Sequence, residues 1–311
     1  MACMEPKLSQ KRLLKRRNES ECIDFRRAAF IRKMYVGEIG GDSMTKNEVL
    51  LEVTENHLNT GLRGIPVGTC RTSFVTPSEG VHYCGYPIAE LAAFEPEDIV
   101  YLLFNKELPN AEQSAAIRQD LAARAAVPGD LESVLKTLPK VGHPMDWLSV
   151  GIHTLGMMET TNNWKDDALN LIARMPRLMG LIFRIREGRE ENIPSDDTSL
   201  SMVERFIRCL DLHDANTEKM KRIISTYLVL HMDHGGGNLS TFAGKAIASS
   251  KATVYSAMAG AMNALSGPLH GRANQSCLEF VLKVGTSDPA EVEAFVRAEL
   301  AANRPIFGFG H

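Results

Sequence analysis

Residues 231–274 read HMDHGGGNLSTFAGKAIASSKATVYSAMAGAMNALSGPLHGRAN, a run with a histidine beside glycine at each end. From Ser240 to Leu265 it is mostly Ala, Ser, Met and Gly with few β-branched side chains. That composition predicts one helix whose small surface lets neighbouring backbones approach closely. Ser240 or Thr241 is placed to cap its start, and Ser266-Gly267-Pro268 ends it, because proline cannot continue the hydrogen-bond ladder. His234 and His270 are therefore expected at opposite ends of one helix, each next to glycines that free backbone and space for a ligand.

The two imidazoles are biased toward different work. His270 precedes a second helical run, Gly271 to Val284, where the positive end of the helix dipole favours an uncharged ring that donates a hydrogen bond. His234 follows the run Met220 to Met232, and a helix C-terminus favours the imidazolium, a partner for an anionic substrate.

These residues also carry a resemblance. HMDHGGGN, GPLHGRANQ and the closing PIFGFGH are similar, in order and spacing, to the three histidine motifs of the citrate synthase family. The stretch GLRGIPVGTCRTSFVTPSEGVHYCGYPIAELA, Gly61 to Ala92, resembles that family's N-terminal signature. The resemblance implies an all-α, multi-helical fold with a small N-terminal hairpin region, and an enzyme that condenses acetyl-CoA with oxaloacetate and water to give citrate and CoA. It implies a homodimer, with a hexamer as the alternative, and acetyl-CoA as a substrate with no resident cofactor.

The chemistry agrees with that reading. Removing a methyl proton from acetyl-CoA requires stabilising the enol or enolate as it forms, and a neutral imidazole donating to the thioester oxygen is suited to this. His270 fits that task. The ketone oxygen of oxaloacetate becomes negative on attack and needs a donor, for which His311 is the candidate. His234 would hold and polarise oxaloacetate, supported by Asn238 and His231. The resemblance assigns CoA contacts to the loop Ile306, Phe307, Gly308, Phe309 and Gly310. Arg272 lies beside His270, near CoA phosphates or on a solvated face.

Blander readings stand beside these. His234 also reads as a helix-capping histidine, and Pro268-Leu269-His270-Gly271 also makes a turn. His231, Asp233 and His234 have the types of metal ligands but lack a convergent further ligand, so no metal is expected. HGGG occurs in the oxyanion loops of lipases, but the chain has no GxSxG elbow. His57, His82, His143, His153 and His213 read as structural or surface residues.

Three reaction-level readings follow. The first is citrate synthase; the second is 2-methylcitrate synthase using propionyl-CoA, since the motifs are shared. The third is a non-catalytic dimer that binds a dicarboxylate or a partner. Family members continue past GFGH into the rest of a small domain, with the aspartate base and substrate-clamping arginines. This polypeptide taken alone is expected to be severely impaired.

Length and composition bound the rest. A chain of 311 residues buries roughly 75% of its extended surface and suits about two domains. The expected division is a large domain, 1–270, with a basic leading segment 1–48 and a hairpin region 49–92, then the start of a small CoA-binding domain, 271–311. Hydrophobic content of 44%, charged content of 23% and a net charge of -3 give no pull toward nucleic acid or anionic membrane. Six scattered cysteines argue for free thiols in a reducing compartment, cytoplasmic by default, with the mitochondrial matrix as the alternative if the basic leader is a transit peptide.

In the hairpin region, Thr72 to Val75 and Val81 to Tyr83 are the expected strands. Beyond Ala92 helices are expected nearly throughout: 97–106, 111–126, 131–138, 145–158, 164–187, 199–212, 215–232 and 289–302. The run 164–187 lacks a wet face, which places it in a large core or, by the family resemblance, in a shared subunit interface.

Overall fold

A computed structural model describes residues 49, 51–59, 65–66, 68–76, 78–211 and 216–307. The basic leader, His213, part of the N-terminal signature and the terminal Gly308 to His311 lie outside the described residues. The described chain is all-α apart from one small sheet. Strands β1 (Ser73–Thr76), β2 (Gly80–Tyr83) and β3 (Tyr86–Pro87) form an antiparallel sheet in sequential order. The tight turn between β2 and β3 has positive φ at both Cys84 and Gly85, as a two-residue hairpin turn demands. That strand was not expected, because Cys is an uncommon residue for a left-handed position.

Twelve helices follow: α1 (Ile88–Leu91), α2 (Pro96–Asn105), α3 (Ala111–Ala123), α4 (Gly129–Thr137), α5 (Pro144–Glu159), α6 (Trp164–Arg186), α7 (Met202–Leu210), α8 (Thr217–His231), α9 (Leu239–Ala248), α10 (Val254–Leu265), α11 (Ala273–Val284) and α12 (Pro289–Ala301). Their starts are written in the sequence. Asn110, Asn163, Ser201, Asn216, Asn238, Thr253 and Asp288 each accept a backbone N–H of the first turn that they cap.

One expected helix is two. The run Ser240 to Leu265 breaks after Ala248, and α9 and α10 pack against each other as a hairpin. At the break Ser249 Oγ donates to the carbonyl of Ala246 and Ser250 Oγ to that of Ile247, both at 2.7 Å. Lys251 then takes φ 62°, and Thr253 caps the returning helix. No glycine or proline marks the reversal. Side-chain hydroxyls that occupy backbone carbonyls do so instead.

The core is built on α6. Leu171, Leu178, Leu181, Ile182 and Ile185 pack with Trp147, Ile152 and Leu155 of α5, with Leu131 and Leu135 of α4 and with Tyr255 of α10. The helix that read as core or shared interface is therefore buried by its own chain. A smaller cluster, Tyr83, Leu91, Ile99, Leu102 and Val229, lies under the sheet and fixes it against α2 and α8. Among the described residues no helix is long and apolar enough to cross a membrane.

Candidate active site

The break at 249–253 changes how the two histidine motifs meet. Because α10 returns alongside α9, His270 is carried back to the start of α9 rather than to its far end. Its Nε2 lies 3.0 Å from Ser240 Oγ and 3.4 Å from the Ser240 backbone nitrogen. A backbone N–H can only donate, so it makes Nε2 the acceptor and places the ring proton of the uncharged imidazole on Nδ1. The expectation of His270 and His234 at opposite ends of one helix is corrected accordingly.

Asn238 joins the two motifs. Its Oδ1 accepts from the Thr241 backbone N–H at 2.9 Å, which makes Asn238, not Ser240 or Thr241, the cap of α9. The same oxygen lies 2.9 Å from Ser240 Oγ, so that hydroxyl has both Asn238 and His270 as acceptors within reach. Asn238 Nδ2 donates to the carbonyl of Gly235 at 3.3 Å. A line of hydrogen bonds thus runs from the His234 loop to His270. Ser240, read from sequence only as a possible cap, is the contact that sequence reasoning missed.

His234 itself is exposed and lies beyond the end of α8, which stops at His231. It is His231 that sits in the last turn of α8, whereas His234, expected at the helix end, comes two residues after the Met232 cap. His231 Nδ1 lies 2.7 Å from the Tyr227 carbonyl, and its ring stacks on Tyr227 with centroids 4.1 Å apart. Tyr227 in turn accepts from Asn274 Nδ2 at 2.9 Å, tying α8 to the start of α11. His143, which caps α5, makes a second tie through Gln275 at 3.1 Å.

The Asp233 side chain faces the sheet. Its carboxylate accepts from Thr72 Oγ1 and, at 2.5 Å, from Ser73 Oγ. Ser73 Oγ in turn accepts the Gly235 N–H at 2.6 Å, and Tyr83 OH accepts the Asp233 N–H at 3.2 Å. Burial holds the Tyr83 phenol above its ordinary pKa, so it stays protonated and donates to the Val229 carbonyl at 2.9 Å. Gly235 has φ 78°, open to glycine at little cost. A side chain at Gly236 would begin 3.1 Å from Lys245 Nζ, a flexible chain end, and 3.2 Å from Cys70 Cβ, so Cys70 would have to give by a few tenths of an ångström to admit it. Among the described residues no group of three or more His, Cys, Asp or Glu side chains is gathered to hold a metal ion.

Of the CoA-loop residues, Ile306 and Phe307 are part-buried after α12, while Gly308, Phe309, Gly310 and His311 lie outside the described residues. Arg272 is the residue before α11.

Comparison with known proteins bears on this arrangement. The family described as citrate synthase, C-terminal domain, matches residues 61–311, most of the chain. The chain belongs to the citrate synthase family. It is 31% identical over 288 residues to citrate synthase 4, mitochondrial, of Arabidopsis thaliana, covering 83% of this chain and 60% of that protein. It is 29% identical over 294 residues to 2-methylcitrate synthase, mitochondrial, of Yarrowia lipolytica, covering 85% and 63% respectively. The crystal structure of citrate synthase from Thermotoga maritima superposes with a TM-score of 0.71 at 27% identity, over 81% of this chain and 67% of that one. The chain thus has the citrate synthase fold and spans somewhat under two thirds of the length of those two curated relatives.

Proposed function

We propose that this protein is a citrate synthase, an acyltransferase that condenses acetyl-CoA with oxaloacetate and water to release citrate and CoA. The observation that supports the reading best is the seating of His270, with Nε2 facing the Ser240 N–H and the ring proton left on Nδ1. An uncharged donor of this kind polarises a thioester carbonyl without itself carrying charge, and it is held in place before substrate arrives. On this reading His234, with Asn238 and His231, receives the keto dicarboxylate. His311 donates to the developing alkoxide, and Ile306, Phe307, Gly308, Phe309 and Gly310 contact CoA. No resident cofactor is needed.

Release of free thiol from acetyl-CoA, followed with and without oxaloacetate, tests the proposal. Oxaloacetate-dependent release, at a reduced rate in this chain taken alone, supports it, and release that does not depend on oxaloacetate counts against it. The Yarrowia relative favours a second reading, 2-methylcitrate synthesis from propionyl-CoA, and competition between the two acyl-CoAs decides which is preferred. Dicarboxylate binding without turnover would instead mark a non-catalytic, dicarboxylate-binding member of the family.

We also propose a homodimer, with a hexamer as the alternative. Met157 and Met158 on α5 and Ile223, Leu228 and Leu230 on α8 are exposed apolar side chains that a second subunit could cover. Residues up to 270 would form the large domain and 271–311 the start of the small one. The cytoplasm is the proposed compartment, with the mitochondrial matrix as the alternative.

A further inference from the structure

We infer that Asp233 is the positioning residue of the histidine loop, fixing it to the β1–β2 hairpin through Thr72 and Ser73. For the identity of its substrate the inference rests on the function proposed above. Ser73 and Tyr83 are directly opposed across β1 and β2, and both are almost fully buried. Opposed residues share one face of a sheet, and here both reach the loop that follows α8. Ser73 takes its carboxylate and the Gly235 amide, and Tyr83 takes the Asp233 amide.

The Asp233 carboxylate gathers three donors: Thr72 on Oδ2, with Ser73 and the Gly235 N–H, at 3.2 Å, on Oδ1. Hydrogen bonds to an ionised acceptor are about twice as strong as neutral ones. Both backbone amides flanking His234, those of Asp233 and Gly235, are thus tied to hairpin side chains. His234 is exposed and stands between two fixed points of the backbone. A histidine held this way meets an anionic substrate with little backbone freedom left to lose. The hairpin thereby gains a role in substrate binding, although it contributes no side chain to the histidine motifs.

Isothermal titration of oxaloacetate into the whole chain, with thermal unfolding of every variant, tests this. Asp233→Ala is expected to weaken oxaloacetate binding about tenfold or more, the scale of a lost charged hydrogen bond. Thr72→Val should weaken binding in the same direction, while Thr72→Ser, which keeps the hydroxyl, restores it. Combining Thr72→Val with Asp233→Ala should add nothing beyond Asp233→Ala alone, because both remove one interaction. Wild-type affinity in Asp233→Ala, or additive losses, would overturn the inference. If the wild-type chain binds no oxaloacetate, the substrate reading fails and the clamp is judged separately by amide hydrogen exchange. A Gly235 amide protected in wild type and exchanging faster in Asp233→Ala, at unchanged unfolding temperature, supports the clamp. Equal exchange in the two overturns it.

Discussion

Ser240 meets His270 through both its hydroxyl and its backbone N–H, and neither contact was visible in the sequence. As a small polar residue near a helix start it reads as a cap, but Asn238 holds that position and Ser240 turns to His270. The backbone N–H of Ser240 is kept in alanine, so Ser240→Ala removes the hydroxyl while keeping the bond that sets the tautomer. Its kcat for thiol release is expected to fall about tenfold, the value of one orienting hydrogen bond, with binding of oxaloacetate unchanged. A kcat equal to wild type would show that the amide alone positions the ring. His234, His270 and Asn238 were legible through the motifs HMDHGGGN and GPLHGRANQ that resemble the family's, whereas the residue types alone also allowed a cap or a turn there. Thr72, Ser73 and Asp233 were not, since their partners lie 160 residues or more apart along the chain and no local pattern joins them.

Among elements, the crossing of α6 and α7 is set by a glycine. A Cβ at Gly180 would stand 2.3 Å from Cys209 Cβ, an atom one bond from the backbone that cannot move aside as a flexible chain end would. Alanine gains about 1 kcal/mol of helix propensity over glycine, but overpacking a tight contact costs about 1–3 kcal/mol. At so short an approach the clash should win. Gly180→Ala is expected to lower stability by about 1–2 kcal/mol net, measured by denaturant unfolding; a stabilised variant would refute the crossing.

The start of α7 carries a pH-dependent tie. Hydrogen bonds from Lys221, and then from the backbone and side chain of Ser201, hold the Glu204 carboxyl at a pKa of about 2, against an ordinary 4.5. A carboxyl depressed on folding stabilises above its unfolded pKa, and the contribution is lost as pH falls from 4.5 toward 2. After allowance for its partial exposure the tie is worth about 2 kcal/mol. Glu204→Gln should therefore destabilise at pH 7 and converge with wild type near pH 2, read from unfolding at several pH values. Equal destabilisation at both ends of that range would assign the loss to packing instead. Helix positions were largely readable from hydrophobic period and caps, while the reversal between α9 and α10 was not. Its signal was a Ser249-Ser250 pair whose hydroxyls bond backward, followed by a Thr253 cap, and composition alone reads those residues as ordinary helix surface.

For the molecule as a whole, the large core around α6 accounts for the all-α fold that the periodicity announced. The exposed apolar side chains on α5 and α8 lie outside that core. Sedimentation velocity should find a species of at least twice the monomer mass, and charged substitutions at Met157 and Ile223 should shift it toward monomer. A monomer at all concentrations tested would remove the dimer from the proposal.

The clamp on Asp233 also imposes a timetable on synthesis. At about 5–20 residues per second a ribosome takes about 8–30 s to extend from Ser73 to Asp233, whereas Ser240 and His270 emerge only 30 residues apart. The nascent hairpin must therefore wait, its Ser73 and Tyr83 still lacking the loop they will hold, long after its own strands can close.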